Sequence, residues 1–360
     1  MMQLLSRIKD EIEQSLDEAI TYERFMSLAL YDKDYGYYNV EKQKTGREGD
    51  FYTSSSVHGV FARVIAGALI EAIQENQIMP VIVDVGSGDG RFIQSFLDEV
   101  KEINHSLYKK IQYYVVESSP FHQKLIKKLT VSHPVTLYGN IRDLKERLPR
   151  LNGILISNEL LDAFPVRVVE KYDGELLEVC VGLDNQGTLI DMYKPCTSKR
   201  IVSWIEDYGS SIEEGQRMEI PLMMTEWLKD VGTWISNGRV YTIDYGYTNE
   251  EWKHPARRNG SLRGYSNHQI IGDPLLTPGK IDLTTHIHID AVKKIGEQRG
   301  LTWLSCEYQG AFLLKHGLLN FIQETSPEDP FSPTQRQNRA IRWLSQSNQF
   351  RVIVQEKREN

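Results

Sequence analysis

The amino-acid sequence predicts an α/β fold built around a doubly wound, mostly parallel sheet. Three observations lead to this prediction. Buried strand patterns alternate with helix patterns through the centre of the chain, the first of these strands runs into a cluster of glycines, and later strands end in acidic residues. Strands that alternate with helices imply parallel crossover units. With 360 residues, 40% of them hydrophobic, the chain can bury a self-sufficient core.

Seven segments have the apolar pattern of sheet strands. They are 80–86, 111–117, 135–140, 151–159, 238–246, 301–310 and 350–357. Between the fourth and fifth, the segment "VRVVEKYDGELLEVCVGLDNQGTLIDMYK" alternates apolar and polar residues around two turns, which predicts an inserted antiparallel meander. An amphipathic helix is predicted over residues 3–20, and the Gly- and Arg-containing stretch 253–282 is predicted to be a loop.

Composition and charge exclude several classes of protein. The net charge of −7 argues against general nucleic-acid binding, which favours an excess of Lys and Arg. No apolar run approaches the roughly 20 residues that span a membrane. Cys180, Cys196 and Cys306 have no CxxC spacing, which argues against a disulfide framework and a zinc site. The acidic N-terminus resembles neither a secretory signal nor a mitochondrial transit peptide, so a cytoplasmic location is expected.

The segment "VDVGSGDGRF" predicts a ligand-binding turn. Asp84 stands at the end of the first strand and is followed by Gly86, Gly88 and Gly90. Glycine allows a ligand to approach the backbone, and the helix that follows offers free N–H groups. The spacing differs from the dinucleotide fingerprint because Arg91 stands where the third glycine would. It is instead typical of proteins that bind S-adenosylmethionine.

The next two strand ends extend this prediction. Glu117 ends the second strand, where an acid can accept hydrogen bonds from ribose hydroxyls, and Ser118 follows it. Asn140 and Ile141 follow the third strand, where the adenine of such a cofactor would lie. The alternative is a tight turn and a solvated acid with no ligand.

The fourth strand ends in "ISNELLDAFPV", with Asn158, Glu159 and Asp162. Ligands of open α/β sheets bind beyond the carboxyl ends of the strands, so these groups are expected near the chemistry. Paired carboxylates suit a guanidinium, whose planar fork they can grip. The alternative is that Asn158 or Asp162 caps a helix and that Glu159 is solvated.

Several long motifs, in order, resemble the MidA-type methyltransferases, the family of the mitochondrial complex I assembly factor. The resemblance covers most of the chain, and its clearest segments are "EGDFYTSSSV" (48–57), "VDVGSGDGRF" (83–92), "SNELLDAFPV" (157–166), "TIDYG" (242–246) and "DPLLTPGKIDLTTHIHID" (273–290). It implies a Rossmann-like class I methyltransferase with a mostly parallel seven-stranded sheet and an antiparallel last strand. It also implies S-adenosylmethionine as cofactor and arginine of a partner protein as methyl acceptor.

Carried over by residue, the resemblance places Thr53 and Ser54 beside the cofactor. The glycines then meet its amino-acid end, Glu117 its ribose, and the acids after the fourth strand the reaction centre. His286 is expected near the substrate as a hydrogen-bond donor or proton relay. A metal site at His286 and His288 has no convincing third ligand, so no metal is predicted.

Four regions are expected along the chain. Residues 1–75 form a helical region with a tyrosine-rich lid loop, 76–166 the cofactor-binding half, 167–235 an insertion on the substrate side, and 236–360 the remaining half with a substrate loop at 247–285. The basic stretch "KHPARRNGSLR" could meet an acidic partner or be a solvated loop. A small-molecule acceptor, a non-catalytic assembly protein and a nicotinamide enzyme are the alternatives, and a homodimer stays open.

Overall fold

The structure, a computed structural model, describes residues 2–41, 59–266, 269–325 and 332–359. Thr53 and Ser54, predicted to border the cofactor, lie outside the described residues. Within those ranges, no helix has both the length and the apolar character needed to cross a bilayer.

The central sheet has seven main strands. They are β2 (Val81–Val85), β3 (Gln112–Val116), β4 (Val135–Tyr138), β5 (Leu151–Asn158), β10 (Ile235–Tyr247), β15 (Thr302–Tyr308) and β16 (Phe350–Lys357). Their spatial order is β15-β16-β10-β5-β2-β3-β4. β16 is antiparallel to both neighbours, whereas the inner pairs are parallel. A two-residue strand, β14 (Ile287–His288), pairs in parallel with the end of β10.

Helices cover both faces of this sheet because its strands are apolar on both sides. The α-helices of the described residues are α1 (Met2–Gln14), α2 (Tyr22–Tyr31), α3 (Val60–Glu75), α4 (Arg91–Ile103), α5 (His105–Tyr108), α6 (Pro120–Leu129), α7 (Ile141–Arg147), α8 (Lys199–Tyr208), α9 (Leu222–Trp234), α10 (Asn249–Trp252), α11 (Ile289–Gln298), α12 (Gln309–Lys315) and α13 (Pro333–Ser345). Of these, α1 and α2 pack against a second sheet and not against the central one. Ile82 packs with α3 and α4 on one face, and its neighbour Val83 packs with α9 on the other. This is the period-two alternation of side chains along a strand that is buried on both faces.

A second, five-stranded sheet contains the predicted meander. Its strands are β1 (Ala19–Thr21), β6 (Arg167–Tyr172), β7 (Glu175–Leu183), β8 (Leu189–Pro195) and β9 (Arg217–Ile220). The predicted helix over 3–20 ends at Gln14, because residues 19–21 pair with β7 far along the chain. Local periodicity cannot detect such a distant partner.

A third sheet corrects the predicted loop at 253–282. Its strands are β11 (Arg263–Ser266), β12 (Gln269–Ile271) and β13 (Asp282–Thr284). Tyr265 pairs with Asp282 and Arg263 with Thr284, so β11 and β13 run antiparallel. Strands of only three or four residues that include polar side chains give little propensity signal, which explains the missed prediction. The small sheet matters because it brings Asp282 beside the end of β5.

Candidate functional site

An open cleft of ≈ 1050 Å³, counted with the solvent at its mouth, lies at the carboxyl ends of β2, β3, β5 and β10. Two kinds of side chain line it: polar residues of the glycine loop and strand ends, and tyrosines from the N-terminal region and β10. The lining residues are Tyr31, Tyr38, Asp84, Gly86, Ser87, Gly88, Asp89, Phe92, Glu117, Ser118, His122, Asn158, Glu159, Leu160, Asp162, Ala163, Tyr245 and Asp282. This is the edge at which parallel α/β sheets bind ligands.

The three glycines after β2 have different surroundings. All three have positive φ, at 76° for Gly86, 60° for Gly88 and 87° for Gly90. A Cβ on Gly86 would lie 2.8 Å from Leu160, and one on Gly90 would lie 3.1 Å from the Cα of Ile126. A Cβ on Gly88 would meet nothing within 4 Å among the described residues. Gly88 therefore borders open space in the cleft, whereas Gly90 allows close packing of α4 on α6 and does not line the cleft.

Glu117 is buried at the tip of β3, where it holds the glycine loop. Its two carboxylate oxygens accept hydrogen bonds from the backbone N–H groups of Gly88 (3.0 Å) and Ser119 (2.8 Å). A carboxylate has about four lone-pair positions, so each oxygen can accept a further bond from a ligand hydroxyl. Behind the loop, the Tyr113 hydroxyl donates to buried Asp84 at 3.0 Å. Burial raises the pKa of Asp84 to about 7.

The acid-bearing turn after β5 is not the start of an α-helix. Glu159 has a φ of 51°, in the left-handed region that costs energy for a residue other than glycine, and its N–H donates to the carbonyl of Ile243 at 2.8 Å. A single 3₁₀ turn, Leu161–Ala163, follows, and no side chain caps it. Helix capping therefore does not explain Asn158 or Asp162. The Oδ1 atom of Asn158 is buried and has no hydrogen-bond partner among the described residues.

Three aspartates from three strand ends converge beneath this turn. Asp244 accepts from the backbone N–H groups of Leu161 (2.9 Å), Asp162 (3.3 Å) and Tyr245 (2.9 Å). The backbone N–H of Thr285, just after β13, donates to the carbonyl of Asp162 at 2.9 Å. Asp162, Asp244 and Asp282 are all at most 3% exposed. The turn is thus fixed by a buried carboxylate of β10.

Burial of several acids together raises their pKa values. Burial, and then the charges of Asp244 and Asp282, raise the pKa of Asp162 well above its usual range. Burial, and then the charge of Glu159, raise the pKa of Asp244 to about 8. Like charges in a site of low dielectric constant disfavour the ionised form. A cation in the cleft would relieve this repulsion.

Two tyrosines from the N-terminal region close one side of the acidic end. The Tyr38 hydroxyl donates to Asp282 at 2.7 Å, and the Tyr31 hydroxyl donates to the carbonyl of Ala163 at 2.8 Å. Their rings stack with centroids 5.4 Å apart. Desolvation raises the pKa of both hydroxyls, so they remain hydrogen-bond donors at neutral pH.

The structure brings most of the predicted site residues to the cleft, but not all of them. Asn140 and Ile141 line a separate cavity with Lys145, where Asn140 caps α7 by accepting from the N–H of Asp143 at 2.9 Å. His286 lies behind Tyr245, outside the cleft lining, with 5.5 Å between the ring centroids. Burial, helped by neighbouring arginines, lowers the pKa of His286 to about 3, so it carries no proton to donate as an imidazolium.

Sequence reasoning missed several residues of the cleft. His122, in the first turn of α6, and Phe92, in the first turn of α4, both line it. Both follow predicted strand ends closely, and that position was the available signal. Asp282 had no comparable signal, because its strand was predicted to be loop.

A sequence profile described as "Putative S-adenosyl-L-methionine-dependent methyltransferase" matches residues 64–306. This range contains the glycine loop, the acidic turn and the small third sheet. The chain belongs to this family. The predicted family is thereby confirmed, and the predicted enzyme class and cofactor are those of the family.

Curated relatives carry a more specific description. The chain is 24% identical over 304 residues to "Protein arginine methyltransferase NDUFAF7 homolog, mitochondrial" of Drosophila melanogaster, covering 77% of this chain and 66% of that protein. The mouse protein of that name is 24% identical over 310 residues, with the same coverage. The matched part of the chain thus spans slightly less than two thirds of these relatives. Their names place them in mitochondria, which contradicts the prediction of a cytoplasmic location.

Solved structures confirm the fold. A protein of Burkholderia thailandensis with bound S-adenosyl-homocysteine aligns with a TM-score of 0.86 at 24% identity, covering 99% of this chain and 92% of that one. A second structure of a protein from that bacterium aligns with a TM-score of 0.84. The predicted Rossmann-like methyltransferase fold is therefore confirmed.

Proposed function

We propose that this chain transfers the methyl group of S-adenosylmethionine to an arginine of a partner protein. The observation that carries the proposal is the acidic end of the cleft. There Glu159, Asp162, Asp244 and Asp282 come together within reach of the glycine loop, and burial raises the pKa of Asp162 and of Asp244. A guanidinium is the acceptor whose charge and planar fork such a group of carboxylates favours. The names of the curated relatives support the same acceptor.

The residues at the other end of the cleft fit S-adenosylmethionine. Gly88 leaves room for a ligand against the backbone, Glu117 has acceptor capacity left for hydroxyls, and Asn158 has a buried acceptor without a partner. When bound, S-adenosylmethionine supplies an electrophilic methyl group on a positively charged sulfur. Gly86, Ser118 and Asp84 complete the lining of this end, behind or beside the loop. Thr53 and Ser54 stay predictions, since they lie outside the described residues.

The acidic residues have a defined task in this proposal. Glu159 and Asp162 orient the guanidinium so that one nitrogen faces the methyl group, and they stabilise its positive charge. A bond forms between that nitrogen and the methyl carbon as the carbon–sulfur bond breaks. The nitrogen then loses a proton, and a carboxylate at the turn is the nearest acceptor. Asp244 acts by holding the turn, and Tyr31 and Tyr38 by holding Ala163 and Asp282.

Each predicted region of the chain has its own role in this proposal. Residues 76–166 hold the cofactor, and the insertion at 167–235 with the loop 247–285 receives the protein substrate. The N-terminal region, with Tyr31 and Tyr38 on the cleft wall, covers the acceptor side.

Two measurements test the proposal. Calorimetry should detect binding of S-adenosylmethionine and not of NAD, because the glycine spacing differs from the dinucleotide fingerprint. Incubation with labelled S-adenosylmethionine and a cell lysate should then place label in a protein band, to be identified by mass spectrometry. Failure to bind S-adenosylmethionine would contradict the proposed methyltransferase activity. Label found only in small molecules would contradict the proposal that the acceptor is a protein.

A further inference from the structure

Two arginines beside the acidic end lack the partner that the other partly buried arginines have. Arg257, at the end of the 3₁₀ turn Pro255–Arg257, and Arg263, in β11, are half-buried residues. Arginines elsewhere with partly buried side chains pair with carboxylates: Arg63 with Glu99, Arg167 with Glu178, Arg217 with Asp191, Arg239 with Glu356 and Arg351 with Glu251. Within the described part of the chain, Arg257 and Arg263 have no ion pair with any carboxylate.

Aromatic rings hold these two guanidinium groups in place. The guanidinium carbon of Arg257 lies 3.9 Å from the centroid of the Tyr247 ring. That ring stacks on His286 at 4.4 Å with 6° between the planes. Nη2 of Arg263 lies 2.9 Å from Nδ1 and 3.0 Å from Nε2 of the same histidine. The Tyr247–His286 stack therefore has one arginine associated with each of its members.

Both arginines keep unused hydrogen-bonding capacity. The Nε atoms of Arg257 and Arg263 are buried and have no hydrogen-bond partner among the described residues. Nη1 of Arg257 donates a hydrogen bond to the carbonyl of Glu251, at 2.8 Å. Their neighbour Arg258 differs, because it donates to the carbonyls of Gly215 and Glu214 and has a structural role. Two positive groups that contact one aromatic stack without a paired carboxylate repel each other, and an external anion would relieve this repulsion.

The position of the pair relative to the acidic end decides which anion fits. In the third sheet, Tyr265 is paired with Asp282, and Arg263 lies two residues before Tyr265 on the same strand. Residues two apart on a strand share a face and are separated by about 7 Å. Tyr245, which lines the cleft, also contacts the His286 ring. An extended peptide covers this distance with about two or three residues.

We infer that Arg257 and Arg263 bind a carboxylate of the protein substrate, so that the preferred acceptor is an arginine with an aspartate or glutamate within about three residues. This inference rests on the proposed function and adds the charge pattern of the substrate to it. The target guanidinium enters the acidic end while the neighbouring carboxylate reaches the arginine pair. The two oppositely charged subsites thereby fix the peptide at two points.

A peptide library with one central arginine and random flanking residues tests this inference, with labelled S-adenosylmethionine as methyl donor. Methylated peptides should be enriched in Asp and Glu near the arginine. Matched peptides should then show about ten-fold higher kcat/KM with Asp than with Asn, as expected for a charge-assisted contact. The difference should lie in KM, because the contact is remote from the reacting atoms. Arg257→Gln/Arg263→Gln should remove the preference and leave binding of S-adenosylmethionine intact.

Controls separate this inference from the proposed function. Arg258→Gln changes a neighbouring charge outside the pair and should keep the acid preference, and Arg263→Lys should keep part of it. Equal methylation of Asp and Asn peptides by the wild type would overturn the inference, even if the double variant did not fold. Binding of an RNA oligonucleotide that the double variant loses would also overturn it, since the anion would then be a phosphate. Absence of methylation in every arginine peptide would instead overturn the proposed function.

Discussion

The two ends of the cleft hold their carboxylates in opposite ways. At the glycine-loop end, which we propose binds the cofactor (the cofactor end), Glu117 accepts two backbone N–H bonds within one strand–helix–strand unit. At the acidic end, which we propose binds the acceptor (the acceptor end), Asp162, Asp244 and Asp282 come from three separated segments, and burial raises the pKa of Asp162 and of Asp244. The first end is suited to neutral hydroxyls. The second is suited to a positively charged group of the bound ligand.

This contrast predicts that variants at the two ends affect different measurements. Changes at the glycine loop should alter the affinity for S-adenosylmethionine. Changes at the acidic turn should alter transfer and acceptor binding.

The largest effect is expected for Glu159→Gln. Removing one charge that faces the transferred group should lower kcat about a hundred-fold, by analogy with the loss of one transition-state contact. The affinity for S-adenosylmethionine, measured by calorimetry, should stay near that of the wild type. Glu102→Gln, on the exposed surface of α4, is the matched control and should leave both unchanged. If Glu159→Gln loses affinity for S-adenosylmethionine, Glu159 contacts the cofactor and not the acceptor.

A smaller loss is expected for Asp244→Asn. The two carboxylate oxygens of Asp244 accept from three backbone N–H groups. The amide of asparagine has only one acceptor oxygen, so the turn that carries Asp162 should become less firmly held. We expect kcat to fall about ten-fold, and the free energy of unfolding to fall by about 1–3 kcal/mol for a buried donor left without a partner. Steady-state kinetics and urea unfolding measure the two effects. A variant with normal kcat would show that the turn does not need Asp244.

Gly88→Ala and Gly90→Ala form a matched pair at the cofactor end. Both place a side chain at positive φ, which costs about 1–2 kcal/mol in either variant. Only Gly90→Ala adds a close contact with the backbone of α6. Gly90→Ala should therefore have the lower Tm, and Gly88→Ala the larger loss of affinity for S-adenosylmethionine. The reverse order would mean that Gly88 does not face the ligand.

The smallest effect is a pH dependence of acceptor binding. At pH 6 the pKa of Asp244, raised to about 8, keeps that group protonated, and binding of a guanidinium must release the proton. Calorimetry should find that the affinity for an arginine peptide rises a few-fold from pH 6 to 8. A peptide with neutral citrulline in place of arginine is the control and should show no such rise. An equal rise with citrulline would contradict the assignment.

The ligand-free protein should respond to pH in the opposite sense. The folded pKa of Asp244 lies above its ordinary value of 3.8, so the unfolded chain loses this proton first. Its contribution to stability is therefore present below about pH 4 and is lost as the pH rises through 8.

Sequence patterns located residues of the cleft where the signal lies within one strand–helix–strand unit. Gly86, Gly88 and Glu117 belong to such a unit and line the cleft, whereas Asn140 and Ile141, predicted beside the adenine, lie at a separate cavity. Asp282 and Tyr38 meet only through tertiary contacts. Asp282 begins a three-residue strand, which is too short to give a strand signal in the sequence. Glu159 was found from strand order, but its left-handed backbone follows from the bond to Ile243 on the neighbouring strand. His286 lies outside the cleft lining, where it stacks on Tyr247, and its role near the substrate stays a prediction.

The central claim is that the acidic end receives an arginine. The most direct test is to transfer labelled methyl groups to an arginine-centred peptide library, hydrolyse the products completely, and identify the labelled amino acid by chromatography. The label should co-elute with a methylarginine and should be absent from the Glu159→Gln reaction. Label in lysine, in a carboxyl ester or in a small molecule would contradict the claim.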